Sequence, residues 1–441
     1  PFLKKPYRTM GALSIPITLS LLAEPITGLV DTGFVAQLGV EPLAALGVGT
    51  GVLSTFFWVF NFLGISTQTE VAQAVGNQNH TRAGKVTGQA FLLAGMLGVL
   101  FIGIGLFAAP AMSLALGAAG QVQADAVTYI HVRLFSAPAV LLTMVGFGAL
   151  RGMQDMQTPM WIAIGINIMN ITLDPILMFG VAFIPPMGIA GAALASAFSQ
   201  WVGALWLLWR VQKALPLSFD FKVRAMLALL RVGGDVFIRT GALTLFLLWQ
   251  TRIANQISPE AGASHQVLRS MMLVTALGLD GLAVTAQSMV AYFLGANAIS
   301  TARRVAAVTI QMTFVVGIAL TVLMLGGTNI VTTLMLPPEA LDVFMGAWIV
   351  SAVLQSISAL AFATDGVLWG TGDYAFMRNT MLAAFVVAGF GLSQINPDMP
   401  DALVWVWIAY AGLVAVRAVL GILRVYPGIG DAPLKSQQVV L

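Results

Sequence analysis

Apolar runs recur along the chain from Met10 to Tyr410, each closed by a short polar break. A helix needs about 20 predominantly apolar residues to cross a bilayer, and by that length the runs predict about twelve spans. They are continuous and do not alternate with a period of two, so they predict helices and not the strands of a barrel. Lipid offers the backbone no hydrogen-bond partner, which leaves an all-α bundle as the architecture.

Composition agrees: of 441 residues, 58% are hydrophobic and 9% charged, against roughly 25% charged in a soluble domain. Mean hydropathy is +0.90. The absence of cysteine excludes disulfides and thiolate metal sites. The net charge of +3 matters less than where the charge lies. Lys4, Lys5 and Arg8, then Arg82 and Lys85, Arg151, the group from Arg210 to Arg231, Arg303 and Arg304, Arg378, and Arg424 with Lys435 fall in alternate connections. By the positive-inside rule those connections and both termini are expected in the cytoplasm. Pro1 is not an initiator, so residues are expected ahead of it; the run after Arg8 is too long for a cleaved signal peptide and reads as the first span.

An internal repeat organises the runs. At an offset of 219, Gln37 falls on Gln256, Gln68 on Gln287, Gly76 on Gly295 and Asn61 on the related acid Asp280. At an offset of 218, "LRGMQD" from Leu150 falls on "LWGTGD" from Leu368. The chain therefore reads as two six-helix lobes, 1–213 and 214–441, related by pseudo-two-fold symmetry along the membrane normal, as in parallel-repeat transporters. The basic connection 210–231 carries prolines and polar residues and is expected to be a cytoplasmic linker with an interfacial helix.

The polar residues inside the runs carry the chemistry. An intramembrane carboxylate costs several kcal/mol and ordinarily faces a cavity or a partner. Glu24 and Asp31 lie two helical turns apart on one face of the first span, with Gly28 between them. Pro16 and Pro25 each remove a backbone donor from that span and predict a hinge, with a static kink as the alternative. In the fifth span, Asn167, Asn170 and Asp174 share a face just before Pro175. Asp31 maps onto Gln250 and Asp174 onto Leu392, so the carboxylate pair belongs to the first half alone. The second half offers Asp280 and Asp365 as an alternative cation site, while Asp235 and Arg239, four apart, are expected to pair with each other. His80, His131 and His265 have no metal-ligand spacing, and no phosphate-binding glycine motif is present.

The two six-span halves, "LVDTGFVAQLG", "LRGMQD" and "NITLDPILMFG" together resemble the multidrug and toxic compound extrusion (MATE) family, in its DinF-type bacterial branch. That resemblance implies a multi-pass protein of the bacterial inner (cytoplasmic) membrane that exports cationic, aromatic drugs against an inward cation. It places cation coupling at Asp31, Asp174, Asn170 and Tyr129, and a substrate cavity at Glu24, Gly28, Asn167, Asn61 and Gln68. A sixth-span hydroxyl expected for sodium is replaced by Ala192 in "GIAGAALAS", with Ser196 the nearest hydroxyl. A hard cation wants several oxygens, so H⁺ is the expected coupling ion and Na⁺ the alternative. Burial and mutual repulsion favour a proton shared by Asp31 and Asp174; its arrival is expected to bend the first span and displace the drug.

No organic cofactor, metal, catalytic residue or nucleic-acid partner is expected, and a monomer is. A membrane-embedded enzyme would need a nucleophile with a positioned base or a metal cluster. A lipid-precursor flippase of related fold remains as the rival; its cleft would be cationic to hold phosphates, whereas here Arg239 and Arg417 stand against a mainly acidic lining.

Overall fold

The computed structural model describes residues 2–435. Among these the regular elements are helices, apart from an isolated bridge between Val181 and Ile184. The first repeat comprises α1 (Pro6–Ala36), α2 (Val40–Val59), α3 (Phe62–Gly76), α4 (His80–Ala115), α5 (Gly120–Leu134), α6 (Ala137–Gly152), α7 (Gln157–Phe179) and α8 (Gly188–Ala214). The second comprises α9 (Val223–Ile257), α10 (Pro259–Gly295), α11 (Ile299–Gly326), α12 (Thr328–Met335), α13 (Leu341–Thr371), α14 (Tyr374–Ser393) and α15 (Ala402–Val425). With α2 and α3 taken as one span, eleven stretches are long and apolar enough to cross a membrane, and the α5–α6 pair, bent by 50°, supplies the twelfth.

The repeat is visible in helix bounds and in turns. Val40–Gly76 and Pro259–Gly295 begin and end 219 residues apart. Gln78 and Asn297, at the same offset, both turn the chain with φ of 55°. After α6 and α13 the turning residues are Gln154, with φ of 66°, and Gly372, with φ of 77°. Residues in the left-handed region end helices by aiming their N–H groups at the last free carbonyls. Where the copies differ, local chemistry explains it: Pro138 sits in the first turn of α6, a place that tolerates a missing donor, whereas its counterpart Ser356 lies within the unbroken α13.

Small residues set the helix contacts. A β-carbon on Gly148 would lie 2.3 Å from the Gly64 carbonyl oxygen, and one on Gly152 2.8 Å from that of Gln68. In the other copy, Gly366 and Gly370 meet the Ala283 and Gln287 carbonyls in the same way, at 2.3 and 2.5 Å. The residues that betray the repeat in the sequence are thus those where α6 lies on α3 and α13 on α10.

Residues 215–222 contain no helix, in place of the expected interfacial one. Pro216 cannot continue α8, and the chain instead lies against α4, where β-carbons on Gly84 and Gly88 would strike the Pro216 and Ser218 carbonyls at 2.0 and 2.2 Å. The helix that resumes at Val223 runs on as α9.

Packing groups Leu19–Gly233 into one unit, and residues up to Thr18 with those from Gly234 onward into another. The repeat boundary at 213/214 is a division of sequence; the packing divisions fall inside α1 and α9. In the second unit the start of α1 is fastened to the later chain: Tyr7 donates to Gln311 Oε1 at 2.6 Å and Ser14 Oγ to Thr285 Oγ1 at 3.0 Å. Its core includes Phe344 stacked on the fully buried Trp348. Phe107, Leu29 and Phe390 are 90%, 74% and 70% exposed, as lipid-facing side chains should be.

Candidate functional site

The fifth-span residues singled out by spacing are brought to the first-span acid. Within the unit Leu19–Gly233, Asp31 of α1 and Asp174 of α7 come within hydrogen-bonding range of one another. Asp174 is fully buried, and its Oδ2 has no hydrogen-bond partner among the described residues. Asn170, one turn earlier on α7, has its amide nitrogen 3.4 Å from Asp174 Oδ1 and 3.2 Å from Ser196 Oγ. Turning the amide over satisfies its neighbours better: Asn170 then donates to Asp31 Oδ1 at 3.3 Å, and its carbonyl accepts from the Ser196 N–H at 3.2 Å. A buried amide is assigned by its network, and this network favours the turned form.

Tyr129, 3% exposed, completes the cluster from α5. A β-carbon on Gly49 would lie 2.5 Å from its ring, so a glycine on α2 makes the room it occupies. Tyr129 also brings a residue that the sequence reading passed over. Arg133, four positions on, lies close enough to act electrostatically on Tyr129 and on both carboxylates. It donates to Ser136 Oγ at 3.2 Å, and its buried Nε is unpartnered. The i, i+4 spacing of a tyrosine and an arginine in an apolar span was the available signal.

Beside Asp31, a cavity of about 240 Å³ opens between α1 and α2, lined by Gly28, Asp31, Thr32, Leu43, Leu46, Gly47 and Thr50. Of the expected cavity residues, Gly28 and the acid itself are here. Glu24 is exposed on α1 outside this lining. Asn167 turns its amide onto the Ala163 carbonyl of its own helix at 2.8 Å. Asn61 stands exposed at the α2–α3 break, and Gln68, 3% exposed, lies in the α3–α6 packing. Pro16 and Pro25 both lie within α1, which is helical throughout, Pro16 buried and Pro25 exposed.

The second unit has no counterpart of the acid pair: Gln250 and Leu392 are each 1% exposed in packed surroundings. Asp365 accepts from Arg239 and, at 2.6 Å, from Arg417. Asp280 lies close enough to act electrostatically on both arginines. The expected pairing of Asp235 with Arg239 is corrected: Asp235 binds Arg378 of α14, because Arg239 is drawn to the buried Asp365 and stacks over Trp369 at 5.1 Å.

Up to twelve apolar spans in two repeats, with a buried carboxylate pair in the first among the described residues, fit the parallel-repeat architecture found in secondary transporters. The MatE family model matches residues 16–176 of the chain. The chain is 28% identical to Protein DETOXIFICATION 44, chloroplastic, of Arabidopsis thaliana, over 94% of this chain and 81% of that one. It is also 28% identical to DNA damage-inducible protein F of Escherichia coli K12, over 93% of this chain and 92% of that one, which fits the expected bacterial branch while a plant protein matches equally well. Its fold matches the outward-facing structure of a multidrug resistance MATE family transporter of the MOP superfamily, with a TM-score of 0.83, 21% identity and 95% of each chain covered.

Proposed function

We propose that this protein exports cationic, amphipathic drugs across the bacterial inner membrane by antiport with protons, the proton being held by Asp31 and Asp174. The observation that carries this reading is the contact between those two carboxylates in a buried site. Two carboxylates at hydrogen-bonding range cannot both stay charged, so one proton between them is the electrostatically matched state. Asp31 also lines the neighbouring cavity, so a bound cation there competes with the proton for the same charge. Mutual exclusion of drug and proton is then the antiport rule. Bending of α1 at Pro16 and Pro25 closes the cavity on protonation, and the two lobes alternate access.

Arg133 supports H⁺ over Na⁺. A guanidinium beside the pair repels a metal cation, and the sixth-span position that would supply a sodium ligand is the buried Ala192. In the other unit, two arginines on Asp365 leave little negative charge for a cation at Asp280 and Asp365. The names of the similar proteins, which speak of detoxification and multidrug resistance, support the cargo class.

The test is export of ethidium from the cytoplasmic face, read as uptake into inside-out proteoliposomes under an imposed pH or Na⁺ gradient, comparing wild type with Asp31→Asn. Export that follows the pH gradient and is lost in the variant supports the proposal. Export that follows Na⁺, or that survives the substitution, overturns it.

A further inference from the structure

The turn that joins the long helices of each repeat is built twice and finished in two ways. In the second copy Asp373 follows the left-handed Gly372, and Arg424 of α15 donates to it at 2.8 Å with both side chains nearly buried. Arg424 also binds the Ile429 and Asp431 carbonyls, so the chain beyond α15 seals the place. In the first copy Asp155 follows the left-handed Gln154 but faces α7, accepting from the Thr158 N–H at 3.0 Å and the Thr158 hydroxyl at 2.6 Å. Among the described residues no arginine lies within 4.0 Å of its carboxylate. A cavity of about 300 Å³ remains, lined by Leu150, Met153, Asp155, Arg210, Lys213 and Ala214.

Its two cations are uncommitted to acids. Arg210 donates to Thr158 Oγ1 at 3.1 Å, and Lys213 Nζ stands 3.9 Å over the Trp209 ring. Neither has a carboxylate within 4.0 Å among the described residues. The one acid in the lining, Asp155, is occupied by the cap of α7. Trp161, Trp206 and Trp209, 58%, 41% and 50% exposed, flank the same end of the α7–α8 pair, where tryptophans mark the membrane–water interface. The 27 residues of α8 reach about 40 Å, beyond a hydrocarbon layer of about 30 Å, which brings its last turns to headgroup level.

We propose that this cavity binds the headgroup phosphate of an anionic phospholipid. Arg210 and Lys213 take the phosphate through charge-assisted hydrogen bonds. Leu150, Met153 and Ala214 take the start of the acyl chains, which the tryptophans flank. Inorganic phosphate would match only the basic half, so a lipid is the fitting occupant. The ion pair at Asp373 excludes such a ligand from the second copy, so one site exists per chain.

The test is native mass spectrometry of the full chain released from micelles containing phosphatidylglycerol, phosphatidylcholine, or inorganic phosphate alone. The wild type is expected to retain one phosphatidylglycerol in preference to phosphatidylcholine. The variant R210Q/K213Q should bind it about 25-fold more weakly, at about 5-fold per basic residue. The charge-matched control K222Q/R224Q, in and beside the linker, should bind it as the wild type does. Should the double variant fail to fold, Lys213→Gln alone, an exposed change, carries the test at about 5-fold. Equal retention of both lipids, equal loss in both double variants, or binding of inorganic phosphate without lipid preference would overturn the proposal.

Discussion

Asp31 on α1 and Asp174 on α7 stand within hydrogen-bonding range of each other, with Asn170 placed to bind either one and Ser196 behind it. A pair of this kind works as a unit, so its members are not expected to fail independently. Asp174→Asn keeps the shape but ends the sharing of a proton. Proton-driven ethidium export by this variant should fall at least about 10-fold, equivalent to losing about 1.4 kcal/mol of coupling, with the protein still folded by gel filtration. Export at wild-type rates would show that Asp174 only supports the fold.

Arg133 adds a positive charge beside that pair. Replacing it with glutamine removes a repulsion that acts on any metal cation entering the site. Export by Arg133→Gln should become sensitive to Na⁺, with competition appearing at Na⁺ concentrations that leave the wild type unaffected. Identical Na⁺ responses in the two proteins would remove Arg133 from the account of ion choice.

Gly148→Val places a β-carbon 2.3 Å from the Gly64 carbonyl, backbone against backbone, where no side chain can move aside. Overpacking of this kind costs about 1–3 kcal/mol, and the melting temperature in detergent should fall accordingly. Gly103→Val, where nothing lies within 4 Å of an added β-carbon, should leave it nearly unchanged. Equal effects would mean that helix propensity, and not the α3–α6 contact, governs both.

Asp365 is held by Arg239 and Arg417, all three largely buried. Removing the acid alone leaves two guanidinium groups with only Asp280 as a nearby counter-charge, and breaking a buried pair costs about 3–5 kcal/mol. Asp365→Asn should therefore lower stability strongly while export per folded molecule keeps its dependence on the pH gradient. A changed ion dependence would return the second unit to the coupling mechanism.

The fold was legible because lipid makes so few demands: long apolar runs and a repeat of glycines are enough to place the spans. Asp31, Asp174 and Asn170 stood out for the same reason, as polar groups in a medium that tolerates few. What the runs concealed was partnership. Spacing along α9 suggested Asp235 with Arg239, but each found a partner in α13 or α14, because a buried charge takes the best-placed opposite charge whatever its sequence distance. Arg133 escaped notice because only the fold sets it against two acids. Gln68 and Gln287 coincide in the repeat where a glycine of the neighbouring helix, Gly152 and Gly370, rests on each of their carbonyls.

The division of α1 after Thr18 sets an order of events during synthesis. The opening turns of this helix leave the ribosome long before their partners, Thr285 and Gln311. Contacts so distant along the chain form slowly and late. Residues 6–18 therefore wait in the bilayer with the Tyr7 hydroxyl unmatched and Ser14 held by the Met10 carbonyl of its own helix alone, so a chain stalled midway shows this face without its partners.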